Sequence, residues 1–307
     1  MLRASLPPPP VLPREVANLA YFASPAARGV FRVAPAGRVA FTATMFFVTI
    51  LGSGSAGNCA LVETAQTRLL IDGGLSAKQM IERLEKCGVD PSAIDGILLT
   101  HEHSDHTGGI NVWCKRFQTP IYCNRDTKEV LQSSAPELRK DWRQFITRSH
   151  FTIKDIDIQC FDVPHDAVDP VGFVMHHGGV TLGFLTDLGF AAKHIRERIR
   201  EVHTLVIEAN YDEKLLENDT KRPWSVKQRI TQRHGHLSNA AAADVIAELV
   251  GEKLRRAVLG HLSRDCNSPE LAVGTVRARL DAAGANGVEV FCAMQREVSP
   301  RFSVAGA

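Results

Sequence analysis

The sequence has no C-x-x-C pair, no long apolar run, no excess of either charge and no repeat of fixed period, and each absence removes a class of protein. Seven cysteines, at 59, 87, 114, 123, 160, 266 and 292, are an odd number without paired spacing. That usage suits reduced thiols and a cytoplasmic location rather than a disulfide framework. The longest apolar stretch, 39–51, is interrupted by threonines and falls short of the roughly 20 residues a membrane-spanning helix needs. Lys and Arg number 36 against 34 Asp and Glu, a net charge of +2. No global field therefore draws the chain to nucleic acid or membrane, and any basic surface has to be local.

What is present is ordinary globular composition: 307 residues, 44% hydrophobic and 23% charged, enough for a sizeable core. Residues 1–44 differ. They hold a run of four prolines, many alanines, five arginines, no lysine and a single acid, Glu15. Such a segment buries too little apolar surface to offset its ordering entropy. Its Arg-rich, acid-poor character suits a transit peptide, but the simpler expectation is a disordered or mis-assigned extension before a working start at Met45. The hydrolase domain expected below then spans 45–307, with 31 basic and 33 acidic residues.

From Met45 the order is a β-rich FFVTIL, a Gly/Ser loop at 52–58, then CALVET and RLLID, the signature of an antiparallel meander. After Ser76, apolar residues at Met80, Ile81, Leu84 and Cys87 recur at helical steps. Short apolar strands follow at 96–100 and 120–123, and strand character returns in FTIKDIDIQCFDV, VGFVMHH, VTLGFLTD, TLVIEA and RRAVLGH. Helical character marks DTKEVLQSS, the Ala-rich 239–250, and a capped segment ending near Gly284. Strands interleaved with helices indicate a layered α/β domain.

The strongest chemical signal is HEHSDHTGG at 101–109. In an extended segment residues two apart point the same way, so His101 and His103 can grip one cation while Asp105 and His106, past a turn, face a second. A core reading of these consecutive ionisable side chains fails, because each would need its own buried partner. Three isolated signals follow at the ends of apolar strands: His165 in VPHD, Asp187 in FLTDLG and His261 in VLGHLS. Strand ends are where layered α/β folds gather functional groups. Together they supply seven ligands: His101, His103 and His165 for one metal, Asp105, His106 and His261 for the other, and Asp187 between them. Imidazole and carboxylate suit two divalent ions, Zn first and Mn or Fe as alternatives.

The order H-x-H-x-D-H, then His, Asp and His at long intervals, resembles the metallo-β-lactamase superfamily from about Met45 to the strand near Phe291. The resemblance implies a four-layer αβ/βα sandwich, two mixed β-sheets face to face with helices outside and a binuclear site at one edge. It also implies that Asp72, in LLIDGG, orients ligands rather than binding metal. SGSAGN at 53–58, VIEANYD at 206–212, GHLSN at 235–239 and LGHLSRDCNSPE at 259–270 are similar to the YycJ/WalJ-type branch near the ribonuclease Z and ribonuclease J nucleases. That branch implies a catalytic role for His236, donating a proton or hydrogen bond to the phosphate or leaving oxygen, beside the metal role of His261.

Residues 220–236 carry Lys221, Arg222, Lys227, Arg229 and Arg233 without one acid, with Trp224 among them. Such a segment can follow a phosphate backbone and stack a base, which makes Trp224, Arg229 and Arg233, with Asn58 of the Gly/Ser loop, candidate substrate contacts. The expected enzyme is a binuclear phosphodiesterase or nuclease acting on nucleic acid, with Asp105 and His236 as catalytic groups and a metal-bridging hydroxide as nucleophile. A thioesterase or lactonase on the same metals is the alternative. β-Lactam hydrolysis is not expected, since no secretory signal is read.

Overall fold

A computed structural model describes residues 45–306, Glu252 excepted; the expected extension 1–44 lies outside the described residues. The strands, in chain order, are β1 (Phe47–Gly52), β2 (Cys59–Glu63), β3 (Arg68–Ile71), β4 (Gly96–Leu98), β5 (Ile121–Cys123), β6 (Trp142–Gln144), β7 (His150–Ile153), β8 (Ile156–Asp162), β9 (Val171–His177), β10 (Val180–Leu185), β11 (Thr204–Glu208), β12 (Arg256–Gly260), β13 (Glu289–Cys292) and β14 (Phe302–Ser303). They form two seven-stranded sheets, ordered β14-β1-β2-β3-β4-β5-β6 and β13-β12-β11-β10-β9-β8-β7. The expected meander is the antiparallel β1-β2-β3 unit, and β3 through β6 then run parallel. In the second sheet β7 to β10 are antiparallel and β10 to β13 parallel.

The helices are α1 (Ala77–Lys86), α2 (Ser104–Thr107), α3 (Ile110–Cys114), α4 (Arg125–Ser133), α5 (Lys193–Arg198), α6 (Glu213–Asn218), α7 (Trp224–Thr231), α8 (Asn239–Glu248) and α9 (Pro269–Ala282). The sequence marks α1, α4, α8 and α9 but not α2, α3, α5 or α6, whose four to six residues are too short for a 3.6-residue period to register. The run FTIKDIDIQCFDV is two strands, because Lys154 takes a left-handed φ of 52° and turns β7 back onto β8.

Side-chain alternation builds the layers. In β2, Ala60 and Val62 face the second sheet while Cys59 and Leu61 face α1 and α3. In β11, Val206 faces the first sheet while Leu205 and Ile207 meet α5, α8 and α9. Both faces are apolar because both are covered, which is why these strands read as continuous hydrophobic runs. Three buried clusters, one between the sheets and one under each helical layer, make the four-layer αβ/βα sandwich. Among the described residues no helix is long and apolar enough to cross a membrane.

Candidate metal centre

The ligand candidates sit where strands of the two sheets end. His101 follows β4, His165 follows β8, Asp187 follows β10 and His261 follows β12. Past extended His101 and His103, the single turn of α2 swings Asp105 and His106 inward. Gly74 allows this, because a Cβ there would lie 1.7 Å from the Asp105 carbonyl oxygen. Asp72, Asp187 and His261 each adopt a left-handed φ, of 61°, 54° and 55°. For residues with a Cβ this backbone is strained, and it persists where surrounding structure over-determines it, as at sites of function.

The two expected ligand triads are brought together. Donor atoms of His101, His103 and His165 lie within 4.8 Å of one another, as do those of Asp105, His106 and His261. His165 Nε2 is 3.3 Å from His103 Nδ1, and His261 Nε2 is 3.2 Å from Asp105 Oδ2. Asp187 stands between them: Oδ2 lies 2.9 Å from His106 Nε2, and Oδ1 lies 3.8 Å from His165 Nε2 and 3.5 Å from His261 Nε2. His101 Nε2 is buried with no hydrogen-bond partner, and Asp187 Oδ2 has no donor aligned with it despite the nearby imidazole. Orphaned buried polar atoms cost free energy. A divalent cation accepting the converging nitrogen and oxygen lone pairs removes that cost, so the residues fit metal, and the nitrogen-rich set suits Zn, Mn or Fe better than Ca or Mg.

The ring nitrogens facing away are held by a second set of groups. Asp72 Oδ2 lies 2.7 Å from His106 Nδ1, while its carboxylate also accepts from the Thr100 amide at 2.8 Å and hydroxyl at 3.0 Å. Thr100 Oγ1 meets His101 Nδ1 at 3.0 Å, and the Gly235 carbonyl meets His165 Nδ1 at 3.1 Å. Glu208, which sequence reasoning passed over, is fully buried and reaches His236 Nδ1 at 2.6 Å and His261 Nδ1 at 3.1 Å. A carboxylate closing the apolar run TLVIE was the available signal, since such a group needs buried partners. Glu208 also clusters with Asp187, His236 and His261. Its other oxygen accepts from Leu188 N and Leu237 N, so both oxygens are already engaged.

Burial first, then neighbouring histidines, holds His101 well below the ordinary imidazole range, and burial likewise lowers His165. Both shifts favour the neutral form, in which imidazole binds metal. Burial also opposes charge on His106, but Asp187 and Asp72 outweigh it and raise His106 to about 10. Asp187, Asp105 and Glu208 outweigh burial at His261 in the same way, lifting it well above its usual value. Metal at the second triad therefore competes with protons.

The cleft over these groups encloses about 270 Å³ and is lined also by Ser55, Asp166, Val226, Arg229, Ile230 and His236. His236 stacks on His261 with ring centroids 5.3 Å apart. The acid-free stretch of sequence is not acid-free in space. Arg229 pairs with Asp166 at 2.5 Å, and Arg222 with Asp219 at 2.7 Å and Asp265 at 3.0 Å. Of the candidate substrate contacts, only Arg229 lines the cleft. Trp224 is 72% exposed at the start of α7, outside the cleft lining, and the Arg233 guanidinium stacks on Phe190. Asn58 is buried outside the cleft lining, with its amide against Gly54, the Asp105 carbonyl and His106.

Sandwich, strand-end ligands and supported histidines define a metal-dependent hydrolase, and the fold and His/Asp cluster together indicate divalent metal binding. The chain belongs to the β-lactamase superfamily: the profile described as β-lactamase superfamily domain matches residues 67–262. It is 32% identical over 244 residues to the protein named exodeoxyribonuclease YycJ of Bacillus anthracis, covering 79% of this chain and 92% of that one. It is 35% identical over 241 residues to exodeoxyribonuclease WalJ of Streptococcus pneumoniae, covering 78% of this chain and 89% of the relative. The human short-form tRNase Z superposes with a TM-score of 0.58 at 19% identity, over 84% of this chain and 99% of that structure, a likeness of fold.

Proposed function

We propose that the protein is a binuclear metal-dependent phosphodiesterase that degrades DNA from an end. The observation that carries this reading is the similarity, across about nine-tenths of their length, to relatives named exodeoxyribonucleases. The seven-ligand cluster with His236 at its mouth supports it. His101, His103 and His165 would hold one ion, Asp105, His106 and His261 the other, and Asp187 both, with Zn first in preference. Bound there, divalent ions supply an acidified water for attack at neutral pH and neutralise charge on the phosphate oxygens.

The chain's own groups do the rest. Glu208 fixes His236 through Nδ1 at 2.6 Å, which leaves Nε2 for the substrate. Burial disfavours a charged His236, but Glu208 and Asp187 outweigh it and raise its pKa. More of the imidazolium is then available near neutral pH to protonate a leaving alkoxide. Asp105 Oδ2 lies 3.2 Å from His261 Nε2, and Asp105 lines the same cleft as His236. Arg229, already paired with Asp166, sits at the rim where a phosphate can exchange for that carboxylate. Val226 and Ile230 are the apolar side chains of this lining, beside Asp166, Arg229 and His236, which favours a charged phosphodiester over a thioester or lactone.

The test is a panel of end-labelled single- and double-stranded DNA and RNA against a thioester and a lactone. DNA shortened stepwise from an end is expected, and His236→Ala should keep metal while lowering kcat by about 10²–10⁴ with little change in KM. Faster turnover of the thioester or lactone than of every nucleic acid overturns the proposal.

A further inference from the structure

Beside the ligand cleft lies a larger cavity of about 730 Å³, formed by the loop 53–56, the loop 262–269 and the segment 293–297. The two spaces meet at Ser55, which lines both. One wall begins at Leu262, the residue after the strand-end His261. The opposite wall is fixed: Gln295 Nε2 donates to the Gly57 carbonyl at 2.8 Å, and its Oε1 accepts from the Ala56 amide at 2.9 Å. This is a built space adjoining the metal cleft, of the size that encloses one small-molecule-sized ligand, about 300–1,000 Å³.

Its chemistry is divided. Leu262, Pro269, Ala293 and Met294 present apolar surface, and Met294 is 40% exposed. At the rim, Arg222 is already neutralised by Asp219 and Asp265. Arg264 and Arg296 are exposed, and among the described residues their guanidinium groups have neither an acid nor a hydrogen-bond acceptor. Glu297 is the other charged group of the rim, so the lining keeps a net positive charge. A flat apolar body bearing phosphates is the ligand that such a surface recognises, by ring contact on one side and charge-assisted hydrogen bonds on the other.

We infer that this cavity holds the nucleotide adjoining the scissile phosphodiester of a DNA strand, with its base against Leu262, Pro269 and Met294 and its neighbouring phosphates on Arg264 and Arg296. The inference rests on the phosphodiesterase reading above and adds to it the path by which the strand leaves the metal cleft.

The experiment compares the full-length, metal-loaded protein with its Arg264→Ala/Arg296→Ala variant on a single-stranded oligodeoxynucleotide and on bis(p-nitrophenyl) phosphate. Loss of two phosphate contacts should lower kcat/KM for the oligonucleotide about tenfold or more beyond any change for the small ester. The slope of log KM against log salt should shrink by about 1.4, at roughly 0.7 per contact on a single strand. Arg264→Lys/Arg296→Lys should recover most of the salt slope, since the charge remains. A wild-type salt slope and KM in the alanine variant, or equal losses on both substrates, overturns the cavity assignment while the phosphodiesterase reading stands. If the wild-type protein degrades no DNA, that reading fails and this inference fails with it.

Discussion

Exchanging Glu208 for Gln tests how the cleft is held, because the change is isosteric and removes only a charge and one acceptor. The carboxylate is fully buried between two pairs of donors, His236 Nδ1 at 2.6 Å and His261 Nδ1 at 3.1 Å on one oxygen, Leu188 N at 3.1 Å and Leu237 N at 3.3 Å on the other. A glutamine NH2 must face one pair. Backbone amides cannot become acceptors, whereas an imidazole can by moving its proton to the other ring nitrogen. The NH2 therefore turns to the histidines, and both are driven to carry their proton on Nε2. At His261 that proton occupies the nitrogen that faces Asp105 and Asp187. The second metal position should lose about 10–100-fold in affinity, as when an orienting partner of a ligand is removed. At His236 the carboxylate that raises the imidazole pKa is gone, so kcat at saturating metal should fall by a further 10-fold or so, part of the roughly 10²–10⁴ available to general acid catalysis. Loss of charge-assisted bonds should cost about 2–4 kcal/mol of stability, or about 4–16 °C in Tm for a domain of this size. Chelator-competition titration, calorimetry and kcat at saturating zinc read the three effects separately. A Glu208→Gln protein with wild-type metal affinity and turnover would show that the carboxylate is only a buried counter-charge.

Asp187→Ala should abolish tight metal binding at both positions and lower activity by more than about 100-fold; two retained metal equivalents by elemental analysis would refute its bridging place. His106, held up at about 10 in the protein against an ordinary value of about 6.5, stabilises chelator-stripped protein fully below about pH 6.5. That stabilisation is lost as pH rises towards about 10, so Tm should fall across the interval, and by less in His106→Asn. An equal fall in both proteins counts against the Asp72–His106–Asp187 network. A chain beginning at Met45 should fold, bind metal and turn over like the full chain, because 1–44 has the composition of a poor folding unit. A large drop in Tm on deletion would show that the segment packs on the domain.

The His/Asp cluster was legible in the sequence because its chemistry is local: a string of imidazoles and carboxylates at the end of an apolar strand has no cheap buried alternative. Longer elements were legible for a similar reason, since the apolar run of β2 and the three- and four-residue steps of α1 accumulate within one segment. The turn of α2 was not, although it decides that Asp105 and His106 face the second triad. Nor was the fate of the basic stretch, because Asp166, which neutralises Arg229, lies 63 residues earlier in the chain.

By itself, then, the sequence determined which residue types were candidates for metal, which segments were strands and that strands and helices would be layered. Only the tertiary structure decided which groups meet. His261 reaches Asp105 across 156 residues, Glu208 supports His236 from 28 residues away, and Asn58 is spent inside the fold rather than at its surface. The physical reason is that propensity and ligand chemistry belong to contiguous residues, whereas a partner across a sheet edge is set by the closure of the whole chain around its core.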